Sequence, residues 1–101
     1  MTFYSVLDVT PRNVDWVEDY LPMANQLVAK HGGKCLARTS SHEQIEGEQQ
    51  DATLRIVFEW PSKAAAVAFE NDPEYLPHLK ARLDNTTSHH YLIEGKDDFS
   101  E

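Results

Sequence analysis

The stretch from Trp60 to Arg82, WPSKAAAVAFENDPEYLPHLKAR, packs the end of a strand, a helix start, a tight turn and a second helix into one block. Pro61 stops the strand, and the Ser62 hydroxyl is a good acceptor for the free N–H groups of a first helical turn. Ala65, Ala68 and Phe69 give that helix its apolar side. Asp72-Pro73 repeats the cap-and-first-turn pattern, but Pro77 follows too closely for one continuous helix. The block therefore reads as a broken helix: one segment, a single turn at Asp72 to Tyr75, and a restart near Pro77 with Leu79 and Leu83 turned inward.

Outward from this block the pattern turns to strands. Ala52 to Trp60 alternates, with Leu54, Ile56, Phe58 and Trp60 on one face and Thr53, Arg55, Val57 and Glu59 on the other. Thr86 to Glu94 reads as the last strand, ended by Gly95. At the other end of the chain, residues 3–9 are aromatic and β-branched, and Pro11 follows. Phe3, Leu7 and Val9 alternate with Tyr4 and Val6, so both faces are apolar, which predicts a central strand.

A helix is predicted next, capped by Asn13, with Asp15, Glu18 and Asp19 near its positive end. Val14, Val17, Leu21, Ala24, Leu27, Val28 and His31 form its buried stripe. Pro22 predicts a kink or break near Tyr20 and Leu21. Gly32-Gly33 supplies the left-handed stop. Lys34 to Thr39 is a second strand, and the polar run from Ser40 to Asp51 is a loop.

The element order is β-α-β-β-α-β. This predicts an α+β, ferredoxin-like domain over residues 1–95: an antiparallel four-stranded sheet with helices on one face and the second helix broken. Residues 96–101 are expected to be a polar, mobile tail. Helices on one face leave the other bare. That face carries Val57, is expected to carry Cys35 and Ala37, and adds either Tyr91 and Ile93 or His90 and Leu92. An apolar face of this kind predicts a second copy, hence a homodimer.

Composition narrows the partners. The chain has 101 residues and a net charge of −8, which argues against nucleic acid or an anionic membrane. No apolar run approaches the ~20 residues that span a bilayer, and the N-terminus lacks a signal-peptide pattern. The single cysteine, Cys35, is expected to be a small buried residue; with no disulfide partner, it suggests a cytoplasmic setting.

Lys30-His31-Gly32-Gly33-Lys34, Leu36-Ala37-Arg38, Ile45-Glu46-Gly47, Phe58-Glu59-Trp60-Pro61-Ser62, Pro73-Glu74-Tyr75, Arg82 and Glu94-Gly95 occur in that order. Together they resemble the DUF1330 family, small bacterial domains of unknown function. The resemblance runs from Tyr4 to Gly95 and implies a dimeric α/β barrel, two ferredoxin-like units paired face to face. Trp60 stands where the family pattern has Phe, the loop from Ser40 to Gln44 is slightly long, and the His89-His90 pair lies outside the pattern. The wider superfamily includes cofactor-independent monooxygenases, muconolactone-type isomerases, haem-degrading enzymes and regulatory modules, so the fold does not choose a chemistry.

Several side chains are candidates for a site. Arg55 and Glu59 lie four apart on one strand, on the same face and about 13 Å apart. They either bind an acidic or carbonyl ligand or form interfacial salt bridges. Glu59, also placed by the family motif, is a candidate general base. Arg82, also shared with the family, could grip a carboxylate or pair with Glu74, Asp72 or a strand-end carbonyl. Arg38 at the end of the second strand binds ligand or guards a sheet edge.

His89 and His90 are adjacent on a strand, point to opposite faces, and so cannot share a metal. His90 is the candidate acid or base in a cavity. Trp16, Tyr20, Met23 and Leu27 form a second helical stripe, either packing or the mouth of a flat-ligand site, with Tyr20 the candidate ligand contact. Tyr75 is expected to anchor its turn.

The spacing of His, Cys, Asp and Glu predicts no metal, and no cofactor is expected. These residues point to a small organic ligand between sheet and helices, with cofactor-independent acid/base or oxygenation chemistry. The alternatives are a non-catalytic dimeric binding or regulatory module and, behind it, haem binding through His89 or His90.

Overall fold

The computed structural model describes residues 1–100. The elements are β1 (Phe3–Pro11), α1 (Val17–Lys30), β2 (Lys34–Thr39), β3 (Leu54–Trp60), α2 (Lys63–Glu70), α3 (Leu76–Asn85) and β4 (Thr86–Glu94). The sheet runs β2-β3-β1-β4, and every neighbouring pair is antiparallel. This is the α+β, ferredoxin-like arrangement that the element order predicts, with the helices gathered on one face. Of the expected tail, residues 96–100 are described and Glu101 lies outside the described residues.

β1 is central, as its two apolar faces require. On the inner face Leu7 stands between Ile56 and His90, and Ser5 between Phe58 and Leu92. On the outer face Val6 stands between Val57 and Tyr91, and Tyr4 between Glu59 and Ile93. The outer face thus takes Tyr91 and Ile93, while His90 and Leu92 turn toward the helices.

Edge strand β2 departs from expectation. A register shift between Cys35 and Ala37 sets Cys35 opposite Phe58 and Ala37 opposite Val57. A bulge breaks the strict alternation, so only Ala37 shares the outer face with Val57. Cys35 is exposed rather than buried, because β2 has an open edge.

α1 is continuous through Pro22, so the break that this proline predicts does not occur. The ring sits on the exposed side, where water can serve the Glu18 carbonyl that Pro22 leaves without its donor. Asn13 does not cap the helix directly. Its Oδ1 accepts from the Asp15 amide at 3.3 Å and its Nδ2 donates to Asn85 Oδ1 at 2.9 Å, organising the turn before Val17. Val14 is consequently exposed and off the buried stripe.

The helix ends with amide bonds from Gly32 to the Ala29 carbonyl and from Gly33 to the Val28 carbonyl, with Gly32 at φ 78°. Gly33 is needed for space as well. A Cβ there would lie 2.7 Å from the Trp60 ring.

Ser62 caps α2 as predicted, its Oγ accepting from the Ala65 amide at 3.1 Å. The turn after α2 is tied to α1 by Asp72, which is buried. Its carboxylate meets His31 Nε2 at 2.8 Å, the Glu74 amide at 2.9 Å and Lys30 Nζ at 3.0 Å. The His31 bond, then the Glu74 amide, then Lys30 hold its pKa at about 2.

One helical phase is reversed. In α3 Arg82 is buried at 4% exposure and Leu83 is 51% exposed. Leu79 and Arg82, three residues apart, share the inner side, and Leu83 is turned past it toward solvent. The core is aromatic at this end of the sheet. Phe69 lies 4.2 Å from Tyr75 and 5.2 Å from Trp60 between ring centres, and Trp60 Nε1 donates to Ser5 Oγ at 2.8 Å. Such ring pairs add about 0.5–1.5 kcal/mol each beyond buried area.

Candidate functional site

Between the inner sheet face and the helices lies a cavity of about 290 Å³. Leu7, Val9, Leu54 and Ile56 form its floor, and Val17 and Ala24 of α1 its roof. The volume follows from the sequence. Ala24 and Ser5 are small side chains facing each other's layer, while the aromatic cluster holds the layers apart on one side.

The other end is polar. Tyr20 from α1, Glu70 from the end of α2, Tyr75 before α3, Arg82 from α3 and His90 from β4 all line the cavity. The hydroxyls of Tyr20 and Tyr75 are 2.7 Å apart, and His90 Nδ1 lies 3.5 Å from Glu70 Oε1. Arg82 forms no ion pair among the described residues, and its buried Nε and Nη1 have no hydrogen-bond partner.

This crowding moves the pKa values in ways that suit proton transfer. Burial pushes Glu70 up, and Arg82 pulls it back only in part. Burial, followed by the Arg82 charge, pushes His90 down, so its imidazole is neutral at neutral pH and free to accept a proton. Burial, then the neighbouring Tyr20, drives Tyr75 upward, so it stays a hydroxyl donor. Burial works against the Arg82 charge too, but Tyr20, Tyr75 and Glu70 outweigh it and raise its pKa.

Of the residues singled out from sequence, Tyr20, Arg82 and His90 meet at this polar end. Arg38 also lines the cavity, with Nη1 donating to Asn25 Oδ1 at 3.0 Å. Glu59 and Arg55 stand on the outer face with Val57, away from the cavity. There Arg55 Nη1 approaches Asp8 at 4.0 Å, and His89 Nδ1 meets the other Asp8 oxygen at 2.9 Å.

Sequence alone names neither Glu70 nor Tyr75 for chemistry, and the place of Tyr75 in its turn predicts only an anchor. Glu70 has a local signal. It is the last residue of α2, where the helix dipole disfavours an acid.

A family model described as a domain of unknown function, DUF1330, matches residues 2–96. The chain belongs to the DUF1330 family. No curated protein matches it. Among solved structures, this DUF1330 domain is similar to RPA0582, a protein of unknown function from Rhodopseudomonas palustris, at 18% identity and a TM-score of 0.78, over 95% of this chain and 83% of that one.

It is similar to a variant of SnoaB, a cofactor-independent oxygenase from Streptomyces nogalater, at 20% identity and TM-score 0.67, covering 99% and 98% of the two chains. It is also similar to a dimeric ferredoxin-like protein of unknown function from Jannaschia sp. CCS1, at 11% identity and TM-score 0.71, covering 93% and 99%. At these identities the likeness is one of fold. No helix among the described residues is long and apolar enough to cross a membrane.

Proposed function

We propose that this chain binds a small, flat organic molecule between sheet and helices and moves a proton on it without a cofactor, working as a homodimer. The observation that carries the reading is an apolar cavity of about 290 Å³ that ends in His90, Glu70 and Arg82. An apolar cavity of about 150 Å³ is enough to hold a benzene ring, so this one accommodates roughly two rings.

His90 is the proton acceptor. Its imidazole is neutral, and Glu70 at 3.5 Å supports the charge it gains. When a C–H bond beside a carbonyl breaks, the proton goes to His90 and the electron pair stays on the substrate as an enolate. That carbanion can take a proton back at another atom, or it can react with dioxygen. The fold shared with a cofactor-independent oxygenase supports the second outcome without requiring it.

Homodimerisation has two supports. Val6, Tyr91 and Ile93 are exposed on the outer sheet face, and one structure of the same fold is described as dimeric. Cys35, exposed and unpaired, suits a reducing compartment such as the cytoplasm.

Titration with β-naphthamide, followed by backbone amide NMR shifts, tests the binding reading. The expected perturbations cluster at Leu7, Val9, Val17, Tyr20 and Ile56. Perturbations confined to the outer face at Val6, Val57 and Tyr91, or none up to the solubility limit, would overturn it.

A further inference from the structure

The charge inside the cavity runs against the charge of the chain. Acidic residues outnumber Lys and Arg by 17 to 9, giving a net −8. Yet the lining contains two arginines, Arg38 and Arg82, and one acid, Glu70. A chain that carries this many carboxylates has kept all but one of them out of the cavity.

Arg82 sharpens the imbalance. Its residue exposure is 4%, and neither Nε nor Nη1 has a hydrogen-bond partner. A buried guanidinium with two idle donors is costly, because the desolvation of Nε and Nη1 is not repaid by hydrogen bonds. Glu70, the one acid of the lining, faces His90 at 3.5 Å and forms no ion pair with Arg82. The Tyr20 and Tyr75 hydroxyls pair at 2.7 Å, and Tyr75, which also neighbours Arg82, brings it no negative charge as a hydroxyl. The missing partner is therefore an anion that comes from outside.

Resting on the cavity reading above, we propose that the natural ligand is an organic acid: a flat apolar body over Leu7 and Ile56, with its carboxylate at Arg82. An ionised carboxylate offers two acceptor oxygens to a guanidinium, and charge-assisted bonds of this kind are about twice as strong as neutral ones. Tyr75, a hydroxyl donor, is placed beside the same group. His90 and Glu70 then face the atoms next to the carboxylate, where a C–H bond is made acidic by a neighbouring carbonyl.

β-Naphthoate and β-naphthamide form a test pair of matched shape that differ in charge. Calorimetric titration of the intact protein is expected to show the acid binding at least tenfold more tightly than the amide. In Arg82→Met that preference disappears, so that the acid binds this variant no more tightly than the amide does. Arg82→Lys, which keeps the charge, retains part of the preference and serves if Arg82→Met does not fold.

Equal or tighter binding of the amide to the unsubstituted protein would overturn the acid ligand and leave the cavity reading standing. An acid preference that survives Arg82→Met would overturn the assignment to Arg82. Failure of both compounds to bind would remove the cavity reading, and this inference with it.

Discussion

The Tyr20 and Tyr75 hydroxyls, 2.7 Å apart, join α1 to the start of α3 at the rim of the cavity. Tyr75 is 1% exposed, so loss of the Tyr20 hydroxyl takes a partner from a buried one. Tyr20→Phe is expected to destabilise the protein by about 1–3 kcal/mol, the cost of a buried polar group left unpaired. Tyr20→Phe with Tyr75→Phe should cost less than the two single changes added together, because no orphan remains. Urea unfolding of the three variants checks this; strict additivity would mean the two hydroxyls do not depend on each other.

Asp72 sets the acid limit. Its folded-state pKa of about 2 lies below its ordinary 3.8, so it contributes stability above the ordinary value. That contribution is lost as pH falls through 3.8 toward 2. Thermal melts of the unsubstituted protein should drop across this window. In Asp72→Asn the melts should start lower at neutral pH and show a flatter acid limb; an equally steep limb would assign the acid sensitivity to other carboxylates.

Glu70 and His90 give the opposite pair of signs. Glu70 is raised by burial, so stability present at low pH falls as pH rises through its folded pKa. His90 is lowered, so the stability it contributes above its ordinary 6.5 falls as pH drops through its folded value. Glu70→Gln should therefore raise the melting temperature at neutral pH and leave it nearly unchanged near pH 4. A fall at neutral pH would show that the ionised carboxylate holds the fold together.

The same pair predicts a chemical readout. In deuterated buffer, the protein should speed exchange of the acidic C–H hydrogens of β-tetralone, with His90→Gln losing at least tenfold of that rate. General bases typically contribute on the order of 10²–10⁴-fold. Glu59→Gln, on the outer face, should leave the rate unchanged. Exchange no faster than in buffer alone would remove the proton-transfer role of the cavity and leave a binding site.

The fold was legible because its signals are local. Ser62, Gly32 and the alternation from Leu54 to Trp60 each act within one turn or one strand, and each does what its chemistry dictates. The phase of α3 was less legible. Hydrophobicity alone places Leu83 inside, but Arg82 takes the inner side and Leu83 faces out, a reversal that a burial rule cannot anticipate. Cys35 was misplaced for a similar reason, since a single bulge in β2 changes which residues share a face. Glu70 enters the site through the packing of α2 against β1 and β3, which brings it 3.5 Å from His90 of β4, a contact that no spacing along the chain encodes. Tyr20, Arg82 and His90 could be named from sequence; their meeting in one cavity could not.

The outer sheet face makes the last prediction. Val6, Tyr91 and Ile93 are exposed in the middle of a sheet, and the Asp8–His89 pair at 2.9 Å sits at one end of that face. Covering three such side chains removes apolar area worth about 1.5–3 kcal/mol for each one fully buried. Light scattering after gel filtration is expected to give the mass of two chains. Val6→Arg with Tyr91→Arg should give one chain, because a second copy would bring like charges together on a buried face. β-Naphthamide binding should survive in that monomer, since every residue proposed to hold it belongs to one chain. A monomeric mass for the unsubstituted protein at 0.1 mM would overturn the homodimer; loss of naphthamide binding in the folded monomer would mean the partner shapes the cavity.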